Sequence, residues 1–218
     1  MPNFSNIKSI IFDLDGTLVD SIHDIHLALD ACCQSFNIKT PEKEQTRHFV
    51  GPGAEKLIYE TTKHTNIPVI KFYERFRSIY RNNYIQHTKC YDGIINLLKV
   101  LHEKNYILAI LTNKPEDASV YLLKNLKLAH FFKKIIGPDT YNIAKPKPEG
   151  LIKLITELGL KKESCLYVGD TTTDIKTANR ANVASIALCH GYGAKEDLIN
   201  EKPSYIVNNV KELYRLLI

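Results

Sequence analysis

From residue 107 onward, short apolar segments rich in β-branched residues alternate with longer segments in which apolar residues recur every three or four positions. The first pattern predicts buried strands, and the second predicts amphipathic helices. Strands that alternate with helices in this way form a parallel sheet with helices on both faces. We therefore predict an α/β fold with a doubly wound, Rossmann-like parallel sheet, in which ligands bind beyond the carboxyl ends of the strands.

The predicted strands include one near the N-terminus that precedes the alternating part of the chain; they cover residues 9–12, 107–111, 134–136, 165–168, 184–188 and 205–207. The predicted helices of the alternating part cover residues 93–104, 115–126, 148–158, 172–182 and 210–217.

Residues 20–86 interrupt this alternation. Their apolar spacing predicts helices at 22–36, 53–65 and 69–84, separated by turns that contain proline or glycine. An all-helical segment inserted after the first strand predicts a second, smaller domain. We predict an α-helical cap domain of residues 20–86 over the strand ends of a core domain made of residues 1–19 and 87–218.

Composition excludes several classes of protein. The longest apolar runs are about six residues, whereas a membrane-spanning helix needs roughly 20. The net charge of +5 comes from scattered residues, which favours small anionic ligands over nucleic acid. Five cysteines without a C-x-x-C pair indicate free, buried thiols. The N-terminal segment does not have the pattern of a signal peptide, so we expect a cytoplasmic protein without a membrane partner.

Two carboxylates follow the first predicted strand. Asp13 and Asp15 lie on the same side of the chain because side chains alternate along a strand, whereas Leu14 points back to the core. A single D-x-D pair is also typical of a turn or a helix cap. The ends of the other predicted strands therefore decide whether this pair has a chemical role.

The other strand ends also carry polar groups. Thr112 and Asn113 follow the second strand of the core, where a hydroxyl and backbone N–H groups can bind phosphate oxygens. Lys145 lies in a loop that two prolines stiffen. Asp170 and Asp174 follow the strand at 165–168, and Asp174 is also at the position of a helix capping box.

Together these four segments resemble the motifs of the haloacid dehalogenase superfamily, in the same order along the chain. The resemblance covers the whole chain, and the helical segment resembles the small α-helical cap of that family. Within the superfamily, the chain is similar to phosphoglycolate phosphatases in three segments: Asp13 to Ser21, Lys145-Pro146 with Pro148, and Gly191-Tyr192-Gly193 followed by Asp197-Leu198.

The resemblance implies a magnesium-dependent phosphatase with an aspartyl-phosphate intermediate. It implies that Asp13 is the nucleophile and Asp15 the general acid and base. It further implies that Thr112, Asn113 and Lys145 bind the phosphate, and that Lys145 also neutralises negative charge in the site. The implied Mg²⁺ ligands are Asp13, the Asp15 backbone carbonyl, Asp170 and Asp174, where Asp174 either binds the metal or only supports the site.

The expected partner is a small phosphorylated metabolite, bound by a monomer or a homodimer. Phosphoglycolate is the first choice of substrate by resemblance. The alternatives are a sugar phosphomutase of the β-phosphoglucomutase type, a nucleotide or pyrophosphate phosphatase, and a catalytically silent binding module. In the cap, we predict that Arg47, Gly51 and Lys56 contribute to substrate specificity, although a helix start with solvated bases explains the same pattern.

Overall fold

A six-stranded parallel sheet forms the centre of the protein. The structure is a computed structural model, and it describes residues 6–82 and 85–218. The strands in chain order are β1 (Ser9–Phe12), β2 (Val19–Asp20), β3 (Lys89–Cys90), β4 (Ile107–Leu111), β5 (Phe132–Ile136), β6 (Cys165–Gly169), β7 (Ala184–Leu188) and β8 (Tyr205–Val207). The sheet has the strand order β5-β4-β1-β6-β7-β8, and it confirms the predicted α/β fold with a parallel sheet.

The central strand, β1, pairs with β4 on one side and with β6 on the other. Its last residue, Phe12, lies opposite Ile110 in β4 and Val168 in β6. Because the pairs are parallel and in step, the three strands end close together. The residues that follow them therefore meet at one edge of the sheet.

The helices in chain order are α1 (Ile22–Ser35), α2 (Lys43–Val50), α3 (Ala54–Thr62), α4 (Val69–Asn82), α5 (Ile94–Glu103), α6 (Glu116–Asn125), α7 (Pro138–Tyr141), α8 (Glu149–Glu157), α9 (Thr172–Ala181), α10 (Lys195–Asn200) and α11 (Val210–Leu217). Both faces of the sheet are covered. Ile10 packs with residues of α5 and α11, whereas its neighbour Ile11 packs with residues of α8 and α9 on the opposite face. Both side chains are fully buried, as expected for a strand with helices on both sides.

Helices α1 to α4 share a second hydrophobic cluster, to which α6 adds Ala118. Its largest fully buried members include Leu29, Leu57, Ile58 and Phe72. This cluster supports the division of the chain into a core and a cap. The boundaries at residues 20 and 86 stay a prediction.

The predicted helix pattern of residues 20–86 was wrong in one respect, because α2 was not predicted. This helix has apolar residues only at its end, so the spacing of apolar positions gives no signal for it. Its start is stabilised by Gln45, whose side chain accepts a hydrogen bond from the backbone N–H of Glu42 at 2.9 Å. The predicted end of α4 at Tyr84 lies outside the described residues.

Two contacts join the segments that connect the sheet to helices α1 to α4. Strands β2 and β3 pair in antiparallel orientation. Close to this pair, the buried carboxylate of Asp24 accepts hydrogen bonds from the backbone N–H groups of His87 and Thr88 and from the Thr88 hydroxyl. The outgoing and returning connections are therefore held side by side.

Within the described part of the chain, no helix combines the length and the apolar character that crossing a membrane requires. The cytoplasmic location stays a prediction.

Candidate active site

The sheet brings the predicted site residues together at its carboxyl edge. Asp13 follows β1, Thr112 follows β4 and Asp170 follows β6. The backbone N–H of Asp13 donates to the carbonyl of Val168 at 2.9 Å, which continues the β1–β6 pairing by one residue. All three side chains are buried.

Three buried carboxylates form a cluster at this edge. Asp13, Asp170 and Asp174 each offer an oxygen atom, and these oxygens lie within 4.8 Å of one another. The Lys145 ammonium lies 2.9 Å from Asp13 Oδ1 and 2.6 Å from Asp174 Oδ1. Three carboxylates and one ammonium leave a formal charge of about −2 when all are ionised at neutral pH. That charge matches a single divalent cation.

Burial and neighbouring charges change the pKa values in the cluster. The pKa of Asp13 is raised to about 6, mainly by burial; Lys145 opposes this rise and Asp174 adds to it. Burial also raises the pKa of Asp170 well above its ordinary value, reinforced by the charges of Asp174 and Asp13. Burial lowers the pKa of Lys145, but Asp13 and Asp174 more than compensate, so it stays a cation.

The donor set fits magnesium. Lys145 lies 2.9 Å from Asp13 Oδ1, but one ammonium does not balance the charge of three buried carboxylates. Burying the remaining negative charge is costly unless a further cation binds it. Carboxylate oxygens are the ligands that Mg²⁺ prefers, and no histidine or cysteine belongs to this cluster. Asp13 and Asp170, with Asp174, are therefore the residues that would hold the ion.

Asp170 is fixed by two hydrogen bonds and by closely packed glycines. The Thr17 hydroxyl donates to its Oδ1 at 2.6 Å, and the backbone N–H of Tyr192 donates to its Oδ2 at 2.7 Å. A Cβ atom at Gly16 or at Gly191 would lie 2.2 Å from Asp170 Oδ2. Only glycine therefore fits at these two positions while Asp170 stays in place.

Asp174 has three partners, and the capping-box interpretation describes one of them. Its Oδ2 accepts hydrogen bonds from the backbone N–H and the hydroxyl of Thr171, as in a capping box. Its Oδ1 pairs with Lys145 and lies 3.3 Å from the Tyr167 hydroxyl. A direct role as a metal ligand stays a prediction.

Asp15 lies beside this cluster but has different neighbours. The Ser21 hydroxyl donates to its Oδ1, and the Lys114 ammonium lies 3.1 Å from its Oδ2. Lys114 also donates to the Tyr80 hydroxyl of α4 at 2.6 Å. The predicted acid and base is therefore linked through one lysine to the helical segment above the sheet.

Asn113 connects three segments of the site. Its side-chain N–H donates to the carbonyls of Pro52 and Lys145 at 3.0 and 3.1 Å, and its Oδ1 accepts from the backbone N–H of Lys145 at 2.8 Å. The side chain therefore positions the Lys145 loop. Phosphate binding by Thr112, Asn113 and Lys145 stays a prediction.

A cavity lies between the sheet edge and helices α1, α3 and α4. Asp13, Asp15 and Thr112 line it from the sheet side. Apolar and aromatic side chains of α1, α3 and α4 line it from above, including those of Ile25, Leu57, Tyr73 and Phe76. The cavity thus offers an apolar wall opposite a polar, charged floor.

The three predicted specificity residues occupy different places. Gly51 lines the cavity, and a Cβ atom there would lie 2.6 Å from Cγ2 of Thr171. Arg47 donates a hydrogen bond to the Gly191 carbonyl. Lys56 is 47% exposed and pairs with Glu60. Arg47 and Lys56 are not among the described residues that line the cavity, and the specificity roles of all three stay predictions.

Sequence reasoning missed Lys114, Tyr167 and Tyr192 as site residues. Tyr167 is fully buried in β6, where its hydroxyl donates to the Leu111 carbonyl at 2.7 Å and accepts from Lys145 at 3.2 Å. Its place inside an apolar strand gives it the pattern of a core residue. A signal for Lys114 existed, since it follows Thr112 at a predicted strand end.

Comparison with known proteins places the chain in a family. The model of the haloacid dehalogenase-like hydrolases matches residues 10–188. The chain belongs to this family. This haloacid dehalogenase-like hydrolase is 34% identical, over 222 aligned residues, to the phosphoglycolate phosphatase of Aliivibrio fischeri, and the match covers 98% of each chain. It is 33% identical to phosphoglycolate phosphatase 1 of Pseudomonas aeruginosa, covering 94% of this chain and 78% of the relative.

A solved structure has the same fold over nearly the whole chain. The crystal structure of a protein from Haemophilus somnus, described as a predicted phosphoglycolate phosphatase, superposes with a TM-score of 0.92 at 26% identity. The match covers 98% of this chain and 99% of that one. The predictions of the family and of the fold class are confirmed.

Proposed function

We propose that this hydrolase is a magnesium-dependent phosphatase that cleaves phosphoglycolate through an aspartyl-phosphate formed on Asp13. The observation that carries the proposal is the cluster in which Asp13, Lys145 and Asp170 meet beneath the cavity. The similarity to relatives named phosphoglycolate phosphatase supports the choice of substrate.

Positive charges in the site offset the repulsion between the attacking carboxylate and the phosphate. A carboxylate that approaches a phosphate dianion to about 3.5 Å meets a repulsion of roughly 9 kcal/mol at an effective dielectric constant of about 20. Lys145, 2.9 Å from Asp13, supplies one positive charge at this point. Bound magnesium, held by Asp13 and Asp170 with Asp174, would supply two more positive charges and polarise the phosphate oxygens.

The chain's own residues account for the two halves of the reaction. Asp13 attacks phosphorus, and the bond between phosphorus and the ester oxygen breaks while Asp15 gives a proton to the leaving alkoxide. Asp15 then takes a proton from a water that attacks phosphorus, and the bond between phosphorus and the Asp13 oxygen breaks, which releases inorganic phosphate and restores the Asp13 carboxylate. Thr112 and the loop that contains Asn113 would bind the phosphate oxygens.

The test is release of inorganic phosphate from phosphoglycolate, measured with Mg²⁺ and with excess chelator. Activity should vanish on chelation and return with Mg²⁺. Asp13→Asn should lower turnover at least ~10⁴-fold, equivalent to a barrier increase of about 5.5 kcal/mol. The matched control is Asp92→Asn, which removes an exposed carboxylate of the core and should retain activity.

Three outcomes would contradict the proposal. Undiminished turnover in chelator would exclude a role for the metal. An Asp13→Asn variant with a tenth of the wild-type activity would exclude Asp13 as the nucleophile. Transfer of phosphate between positions of a sugar phosphate, without release of free phosphate, would instead identify a phosphomutase.

A further inference from the structure

Lys114 is a buried cation to which the reaction steps above give no task. Its side chain is only 4% exposed, yet it carries an ammonium group between Asp15 and Tyr80. Lysine is ordinarily protonated at neutral pH, and the Asp15 carboxylate 3.1 Å away favours the charged form. Because burying a charge is costly, its position calls for a reason beyond packing.

Lys114 faces the cavity that receives the substrate. The cations among the described residues that line this cavity are Lys114 and Arg77. Arg77 is 41% exposed and pairs with Asp117 at 3.2 Å, so water screens its charge. Lys114 therefore provides the buried positive charge in the part of the cavity next to Asp15.

The length of the proposed substrate brings its second charge to this point. In phosphoglycolate, one methylene separates the ester oxygen from the carboxylate, so the nearest carboxylate oxygen lies roughly 3 Å from the ester oxygen by ordinary bond lengths. Asp15 must reach the ester oxygen to give it a proton. Since the Lys114 ammonium lies 3.1 Å from Asp15 Oδ2, a substrate bound with its carboxylate turned toward Lys114 can form an ion pair with it.

Without a cation, this arrangement would place two carboxylates side by side. The substrate carboxylate and Asp15 would repel each other whenever Asp15 is ionised, and an ammonium that touches both offsets this repulsion. The Tyr80 hydroxyl, 2.6 Å from the ammonium, fixes its direction. Tyr80 belongs to α4, so the cap helices also contribute to the position of this charge.

We infer that Lys114, oriented by Tyr80, binds the carboxylate of the substrate and selects short phosphorylated acids over phosphate esters that lack a carboxylate. This inference rests on the proposed function and assigns the residue that distinguishes its substrate class. A phosphate ester without a carboxylate leaves the buried ammonium without its second anion, whereas a longer acid places its carboxylate beyond reach.

The test compares 2-phosphoglycolate with ethyl phosphate, which has the same length but no carboxylate. The variants are Lys114→Met and Tyr80→Phe. The matched control is Lys134→Met, which removes a lysine that pairs with Glu157 on the exposed surface. For each protein, kcat/KM is measured on both esters, and the ratio of the two values is compared. Circular dichroism shows whether each variant is folded.

Lys114→Met should lower the ratio of phosphoglycolate to ethyl phosphate about 100-fold, since it removes a charge-assisted contact made by one substrate alone. Tyr80→Phe should lower the ratio in the same direction, by roughly threefold to tenfold. Lys134→Met should leave the ratio within about twofold of the wild-type value.

Equal losses on both esters in Lys114→Met would show that the lysine only positions Asp15, and would overturn the inference. If that variant does not fold, Tyr80→Phe decides, because an unchanged ratio in a folded Tyr80→Phe protein overturns it as well. The proposed function fails separately: a wild-type enzyme that does not prefer phosphoglycolate over ethyl phosphate would refute the substrate before any variant is compared, and the inference with it.

Discussion

Replacement of Asp13 by asparagine should stabilise the metal-free protein while it abolishes activity. Burial raises the pKa of this carboxyl from the ordinary 3.8 to about 6. The folded state therefore binds the proton more tightly than the unfolded state does. The stability that this group contributes is fully present below about pH 3.8 and is lost as the pH rises through about 6.

The size of the effect follows from the same two values. The interval between 3.8 and about 6 corresponds to about 3 kcal/mol at 1.36 kcal/mol per pH unit. Asparagine avoids this loss of stability because it does not ionise, although its weaker contact with Lys145 offsets part of the increase. We therefore expect Asp13→Asn to be about 1 to 3 kcal/mol more stable above pH 7, which raises the Tm by roughly 2 to 4 °C for each kcal/mol.

The assay is thermal unfolding in excess chelator at pH 7.5 and at pH 5. The advantage of Asp13→Asn should be largest at pH 7.5 and should shrink at pH 5, where the wild-type carboxyl is largely protonated. Added Mg²⁺ should raise the Tm of the wild-type protein more than that of the variant, since the ion binds the carboxylate in the folded state only. Asp92→Asn serves as the control for loss of an exposed carboxylate.

A variant that is less stable than the wild-type protein at pH 7.5 in chelator would refute this reasoning. So would an advantage that does not change between the two pH values, because the effect would then have a cause other than ionisation of the buried carboxyl.

Two further predictions concern residues that support the cluster. Gly16→Ala should weaken Mg²⁺ binding because the new Cβ atom would displace Asp170, and the measurement is the Mg²⁺ concentration for half-maximal activity. The control is Gly159→Ala, also at a positive φ but with no atom within 4 Å of the new Cβ, which should lower stability without changing Mg²⁺ binding. Tyr167→Phe should lower kcat about tenfold and leave Mg²⁺ binding unchanged, since it removes a hydrogen bond that orients the Lys145 ammonium; a similar loss of Mg²⁺ binding would contradict this assignment.

Much of the fold could be predicted because its signals are local. The strand at Ile107–Leu111 consists entirely of apolar residues and is followed by Thr112, and the structure has the predicted bounds. The predicted and observed bounds also agree for the strand Ala184–Leu188 and for the helix Val210–Leu217. Periodicity is reliable in these segments because each packs one or two whole faces against the core.

The elements that were missed carry little periodicity. Helix Lys43–Val50 is polar over most of its length, and helix Pro138–Tyr141 has only one turn. The two-residue strands Val19–Asp20 and Lys89–Cys90 pair with each other across the whole helical segment. A contact between residues so distant in sequence leaves no pattern in either segment alone.

The sequence predicted that Asp13, Asp170 and Asp174 follow strands that end together, but not how each side chain is held. Asp170 was predicted from its place after a strand, whereas its hydrogen bond from the backbone N–H of Tyr192 joins residues 22 positions apart. Asn113 was predicted as a phosphate-binding residue, and its side chain makes hydrogen bonds with the backbone of two other loops. Such contacts depend on the relative position of loops, which only the three-dimensional structure gives.

One loop connects the acidic cluster with the helical segment above it. The backbone N–H of Tyr192 donates to Asp170, and the Tyr192 hydroxyl accepts from the backbone N–H of Ser21 at 2.9 Å. From α2, Arg47 donates to the Gly191 carbonyl and lies over the Tyr192 ring at 5.5 Å. The loop that supports Asp170 is therefore also held by α2, through the two contacts of Arg47.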